Sequence, residues 1–177
     1  GAGPGTTGTR ALADWLCRLG YSVGHWTKVR CGDTDGATYE ANVKRLIHLD
    51  PSERARFDWR VFDALDALTD TPFASYIEHL MVAFPDARVV LTVRNATDWV
   101  RSRSTNHPRS PIVGLEYLGS DARPSTQTPE ALRWSIDQYE AHNALVRRVV
   151  PPSQLLELNI VEGDDDANFE RLTRFLN

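Results

Sequence analysis

A continuous apolar run, ARVVLTVR at positions 87–94, is the feature that most constrains the fold of this chain. Such runs are typical of strands buried on both faces of a parallel sheet, because a strand with one solvent face alternates polar and apolar residues. A helical pattern that starts at Thr71-Pro72 precedes the run, and the helical segment NATDWVRSRS follows it directly. QLLELNI at 154–160 predicts a second short buried strand. Strands that alternate with helices predict an α/β fold with a mostly parallel sheet.

Apolar residues at helical spacing predict further helices, at 8–19, 37–48, 129–150 and 167–176. Asp50 followed by Pro51 is a typical helix start. VFDALDALTD at 61–70 is compatible with either a strand or a helix. Residues 107–128 hold three prolines and many small polar residues, and we expect a long loop there that serves as a substrate lid.

The length of 177 residues predicts a single domain, 1–177, large enough to bury a core. Because the sequence begins inside a glycine-rich stretch, we expect the natural N-terminus to lie upstream and the first strand of the domain to be missing. No apolar run approaches the roughly 20 residues that span a bilayer. Two cysteines do not form a disulfide framework, and no His/Cys cluster has the spacing of a zinc site.

The charge distribution argues against nucleic acid as a partner and favours a small anionic ligand. The net charge is −4, yet five arginines and a single acidic residue lie between Arg88 and Arg109. A local cationic patch on an acidic chain suits a small anion better than a long polyanion. A solvated helix face is the alternative explanation of the patch.

The stretch GPGTTGTR at 3–10 has the composition of a phosphate-binding loop, with Thr9 where a Walker loop has lysine. Backbone N–H groups of a glycine-rich turn and a helix N-terminus can bind an anion without a lysine. Arg94 ends the buried strand and Ser102 lies two turns into the next helix, so both could grip one phosphate. Alternatively, Arg94 pairs with Asp98 and Ser102 faces solvent.

Three segments, GPGTTGTRAL…LCRLGY, TDTPFASYIEHLMVAFPDARVVLTVRNATDWVRS and YEAHNALVRRVVPPSQLLELNIVEGD, resemble the P-loop sulfotransferases in matching order. The resemblance implies a three-layer sandwich like that of P-loop NTPases. It also implies an enzyme that moves a sulfuryl group from 3′-phosphoadenosine 5′-phosphosulfate (PAPS) to a hydroxyl or amine of a small molecule or glycan. The reaction would need no metal, and its other product would be adenosine 3′,5′-bisphosphate. The residues that it implies for donor binding are Gly5, Thr6, Thr7, Gly8, Thr9 and Arg10 for the 5′-phosphosulfate, and Arg94 and Ser102 for the 3′-phosphate.

The chain departs from the family pattern at two places. The family loop usually has Lys or Arg two positions before its last glycine, where this chain has Thr6; Arg10 or backbone donors are the alternatives for that charge. The C-terminal loop of the family often has basic residues, where this chain reads EGDDDANF.

Three residues are candidates for the general base that sulfuryl transfer needs. His25 follows the first helix and a short extended piece, and a His often stands at that place in similar sequences. Asp70 precedes the Thr71-Pro72 helix start, where it could instead cap backbone amides. Asp33, in RCGDT, resembles a carboxylate of the protein-tyrosine branch. His142, in the middle of a helix, is interpreted as structural.

Two other functions compete with the transferase. A nucleotide or metabolite kinase would need a loop lysine and an acidic strand end for Mg²⁺, and only Glu157 offers the latter. A noncatalytic anion-binding domain on the same fold would explain Thr6. The sequon Asn95-Ala96-Thr97 beside Arg94 would place a glycan at the nucleotide site, which favours a cytoplasmic setting over a Golgi-type lumen.

Overall fold

A computed structural model describes residues 1–107 and 126–177. Its helices there are α1 (Thr9–Arg18), α2 (Gly36–Ile47), α3 (Ile77–Ala83), α4 (Ala96–Asn106), α5 (Pro129–Val149) and α6 (Asp165–Leu176). Its strands in the same ranges are β1 (Val23–His25), β2 (Lys28–Cys31), β3 (Ala67–Thr69), β4 (Val89–Thr92) and β5 (Leu155–Leu158). Short 3₁₀ helices occur at Pro51–Arg56, Trp59–Phe62, Phe73–Tyr76 and Pro152–Gln154.

The strands form two small sheets, and each sheet contains one parallel pair of strands that are joined through helices. In the first sheet, of order β2-β1-β3, β1 runs antiparallel to β2 and parallel to β3, with Val23 opposite Ala67. In the second, β4 and β5 are parallel. Residues 1–2 lie between the sheets: the Gly1 amino group donates to the Leu68 carbonyl at 2.7 Å, and the Ala2 N–H donates to the Val90 carbonyl at 2.8 Å.

Helices pack on both faces of the β4–β5 sheet, as the apolar run predicts. Val90 belongs to a cluster with Leu12 of α1 and Leu172 of α6. Its neighbours Val89 and Leu91 point the other way because side chains alternate along a strand, and they pack with residues of α3 and α5. All four residues of β4 are buried, which confirms the α/β class.

Several sequence predictions need correction in detail. The start at Asp50 is capped, since the Asp50 carboxylate accepts from the Ser52 N–H at 2.8 Å, but the segment that follows is a 3₁₀ helix. The segment 61–70 contains the end of a 3₁₀ helix and then β3. The sequence analysis did not predict β2. Of the expected lid, residues 108–125 lie outside the described part of the chain.

Cys17 of α1 and Cys31 of β2 form a disulfide, which the sequence analysis did not anticipate. It ties the helix that follows the glycine-rich loop to the β1–β2 hairpin. No helix in the described ranges has the length and apolar character required to cross a membrane.

Candidate functional site

The glycine-rich loop enters α1 through backbone conformations that favour glycine. Gly8 is the N-cap of α1 with φ of 94°, and a Cβ there would lie 2.9 Å from Cβ of Ile160. Thr6, which is not glycine, also has a positive φ, 73°. The first-turn N–H groups of α1 therefore begin directly at the loop, as an anion site at a helix N-terminus requires.

Side chains from β4 and α4 hold the loop from behind. The Thr7 hydroxyl donates to the Pro4 carbonyl at 2.7 Å and lies 2.6 Å from the Thr92 hydroxyl, which must then be the donor of that second bond. The indole Nε1 of Trp99 donates to the Gly5 carbonyl at 3.0 Å. Thr7 is fully buried, so its hydroxyl fixes the loop and does not reach the cleft.

The loop forms one wall of a cleft of about 1120 Å³. Its lining residues from the loop and the start of α1 are Gly5, Thr6, Gly8, Thr9 and Arg10; α4 and its end contribute Ser102, Arg103, Asn106 and His107; the remaining wall consists of His25, Trp26, Lys28, Val29, Arg30, Asp70 and Thr71. Five of the six loop residues predicted to bind the donor thus line this cleft, together with Ser102, His25 and Asp70.

The parallel pairing of β1 and β3 brings His25 and Asp70 together. His25 lies opposite Thr69 in the register, and its Nε2 is 3.5 Å from Oδ2 of Asp70, with both side chains largely buried. The His25 Nδ1 is 3.0 Å from the Thr69 hydroxyl, which itself donates to the Gly24 carbonyl at 3.1 Å. Because the Thr69 proton is used there, Nδ1 carries the imidazole hydrogen and Nε2 is the free base.

Burial sets the protonation of His25. Loss of solvation lowers its pKa below the ordinary value of 6.5, and the nearby Asp70 carboxylate opposes that shift without cancelling it. The imidazole is therefore neutral at pH 7. Asp70 has φ of 70°, and its Oδ1 is buried with no hydrogen-bond partner in the described ranges.

Arg94 contacts the glycine-rich loop, and Ser102 lines the cleft that the loop borders. The Arg94 Nη1 donates to the Thr6 carbonyl at 3.1 Å, and its Nε is buried without a hydrogen-bond partner in the described part of the chain. The alternative pairing with Asp98 is not formed, since Asp98 contacts Arg101 at 3.5 Å. Ser102 lines the cleft, and Arg94 is next to it through Thr6, a lining residue whose carbonyl it contacts.

Asp33, the third candidate base, lies apart from this cluster. It is exposed in the turn between β2 and α2 and does not line the cleft. His142 is buried on α5, where its Nε2 is 2.8 Å from the Ala2 carbonyl, in agreement with a structural role.

Sequence reasoning did not single out Arg103 as a cleft residue, and it left Trp26 open between pocket lining and core packing. Arg103 is buried in the cleft wall, and Trp26 is 39% exposed there. The sequence signal for Arg103 was its place beside Ser102, within the arginine-rich segment. Trp99, by contrast, is a core residue that stacks on Tyr139 with ring centroids 4.6 Å apart.

Comparisons with known proteins identify the family of this chain. A protein family described as "Sulfotransferase domain" matches residues 1–111 of this chain. This range contains every cleft residue named above. A protein named Ava biosynthesis cluster protein M, from Aspergillus versicolor, is 26% identical over 60% of this chain. The chain spans about half the length of that relative, 51%. Because this match covers more than half of the chain, the protein belongs to the sulfotransferase domain family.

Proposed function

We propose that this protein moves a sulfuryl group from PAPS to a hydroxyl or amine of an acceptor. The observation that carries the proposal is that a glycine-rich anion-binding loop and a neutral histidine with a carboxylate neighbour open into one cleft. The first feature suits the donor, and the second suits the acceptor. The acceptor is a small molecule or a glycan, and the other product is adenosine 3′,5′-bisphosphate.

The residues present fit the donor. The loop offers backbone N–H groups at the α1 N-terminus, and Thr9 and Arg10 line the cleft beside it. The Thr6 hydroxyl and the Arg94 Nε are buried polar atoms without a partner in the described ranges, as expected where a ligand completes the hydrogen bonding. A cleft of about 1120 Å³ is large enough for a nucleotide and an acceptor together.

We assign the donor contacts by residue. The loop 5–10 holds the 5′-phosphosulfate, and Ser102 with Arg94 holds the 3′-phosphate. PAPS supplies the activated sulfuryl group when it is bound. Ser102 already accepts a hydrogen bond from the Asn106 amide at 3.1 Å, which leaves its own proton available for a phosphate oxygen.

His25 is the proposed general base. Its free Nε2 takes the proton of the acceptor, and the imidazolium that results then faces Asp70 at 3.5 Å. Asp70 therefore stabilises the proton after its transfer and has no need to accept it. Asp33 has no part in this mechanism because it lies outside the cleft.

We also propose that the two sheets act as one central sheet of a three-layer, P-loop-like single domain. The supporting observation is that Gly1 and Ala2 hydrogen-bond to β3 on one side and β4 on the other.

A ligand screen followed by a transfer assay tests the function. Thermal unfolding is measured with adenosine 3′,5′-bisphosphate, with ATP plus Mg²⁺, and with ADP. A stabilisation by the bisphosphate alone, followed by transfer of ³⁵S-sulfate from labelled PAPS, supports the proposal. A shift with ATP–Mg²⁺ alone would indicate a kinase, and bisphosphate binding without transfer to a broad acceptor panel would indicate a noncatalytic domain.

A further inference from the structure

A buried guanidinium lies against the glycine-rich loop on its cleft side. Arg103 of α4 is only 8% exposed and lines the cleft. A Cβ placed on Gly5 would be 3.0 Å from Nη1 of Arg103 and 3.1 Å from Oδ1 of Asp70. The guanidinium and the carboxylate therefore both approach the loop at the same glycine, and the lack of a side chain on Gly5 makes room for them.

Arg103 keeps its positive charge in this setting. Burial lowers its pKa and the Asp70 carboxylate opposes the shift, but an arginine starts so far above neutrality that it stays protonated. A buried cation is weakly screened by water and salt, so it acts on a nearby anion more strongly than an exposed one.

Residues 3–8 of the loop have no charged side chain. Residues 3–8 read GPGTTG, and the first basic side chain after them, Arg10, is exposed. Arg94 contacts the loop at the carbonyl of Thr6, and the guanidinium nearest to a Cβ on Gly5 is that of Arg103. The cation beside Gly5 in the cleft wall is therefore Arg103 of α4.

We propose that Arg103 binds the 5′-phosphate end of the donor, as the loop's principal cation. The inference rests on the proposed function, because it assumes a nucleotide whose 5′-phosphate lies on the loop. It separates the two arginines by role: Arg103 serves the 5′ end, and Arg94 with Ser102 serves the 3′ end.

Two nucleotides that differ only in the 5′-phosphate test this assignment. Calorimetry gives the Kd of adenosine 3′,5′-bisphosphate and of adenosine 3′-monophosphate for the wild type and for Arg103→Met. We expect the bisphosphate to bind about tenfold to a hundredfold more weakly to the variant, the scale of one charge-assisted contact, with the monophosphate unchanged. Arg103→Lys should lose less, because it keeps the charge without the planar fork. Arg101→Met is the matched control, since Arg101 is an exposed neighbour on α4 that contacts Asp98.

A relocated charge provides a second, independent readout. Thr6→Lys in the Arg103→Met background returns a cation to the loop, and it should recover bisphosphate affinity without recovering thermal stability. Equal loss for both nucleotides, or no loss for either, would show that Arg103 only supports the fold and would overturn the assignment. A wild type that binds neither nucleotide would instead refute the proposed function, and the assignment with it.

Discussion

Replacement of Trp99 by Phe should loosen the glycine-rich loop. The Trp99 indole is 1% exposed, stacks on Tyr139, and donates its only N–H to the Gly5 carbonyl at 3.0 Å. Phenylalanine keeps an aromatic ring against Tyr139 but has no donor. The Gly5 carbonyl is then left buried without that partner.

The size of the effect follows from these contacts. A buried acceptor that loses its hydrogen bond destabilises a protein by about 1–3 kcal/mol, and the smaller ring adds a cavity penalty. We therefore expect the free energy of unfolding to fall by about 2–3 kcal/mol. For a chain of this size that corresponds to a decrease in Tm of about 4–12 °C.

Differential scanning calorimetry measures the change in Tm, and titration with adenosine 3′,5′-bisphosphate should show weaker binding as well. Trp134→Phe is the matched control: Trp134 lies on α5, is 36% exposed, and should change stability by less than about 0.5 kcal/mol. If both variants unfold at the wild-type temperature, or both shift equally, the bond from Trp99 to Gly5 does not hold the loop.

The catalytic and nucleotide-binding residues give three further predictions. His25→Ala should reduce turnover by about 100-fold or more while the Kd of the bisphosphate stays nearly constant, and near-normal turnover would remove His25 from the mechanism. Because burial lowers the pKa of His25 more than Asp70 raises it, the midpoint of the acid limb of the pH–rate profile should lie below pH 6.5. Asp70→Asn should move this limb to lower pH and reduce the plateau, so an unchanged profile would refute the pairing. Arg94→Ala should weaken binding of adenosine 3′,5′-bisphosphate by about 2–3 kcal/mol in calorimetry. Binding of adenosine 3′-monophosphate should weaken by as much. If only 5′-phosphorylated nucleotides bind more weakly, Arg94 contacts the 5′ end and the assignment to the 3′-phosphate is refuted.

Local periodicity accounts for the elements that the sequence predicts well. The strand β4 and the helices on either side of it follow from apolar spacing that is complete within each segment. The β1–β2 hairpin escapes such reasoning because its turn contains Trp26 at φ of 52°, without the Asn-Gly or Asp-Gly signal typical of tight hairpins. A hydrogen bond from the Tyr39 hydroxyl to the Trp26 carbonyl, 2.8 Å, belongs to this turn, and such a contact cannot be read from the turn itself.

The candidate site likewise has parts that the sequence predicts and parts that it does not. The sequence predicts the glycine-rich loop and Ser102 at one site, and both line the cleft; their contacts with a donor, like that of Arg94, stay predictions. That His25 and Asp70 lie 3.5 Å apart depends on the register of two parallel strands far apart in sequence, so the sequence could offer them only as rival bases. Thr7 was expected to contact the donor, but Thr92 of β4 lies behind it and engages its hydroxyl.

Anchoring of the loop from behind has a kinetic consequence. Thr92 fixes the Thr7 hydroxyl, and Arg94 and Trp99 fix two loop carbonyls, already in the free protein. The conformational entropy of the loop is therefore lost during folding and not when a nucleotide binds. Encounter with the loop should then be a single bimolecular step. In stopped-flow measurements the observed rate should rise linearly with nucleotide concentration, whereas a loop that had to rearrange first would make it level off.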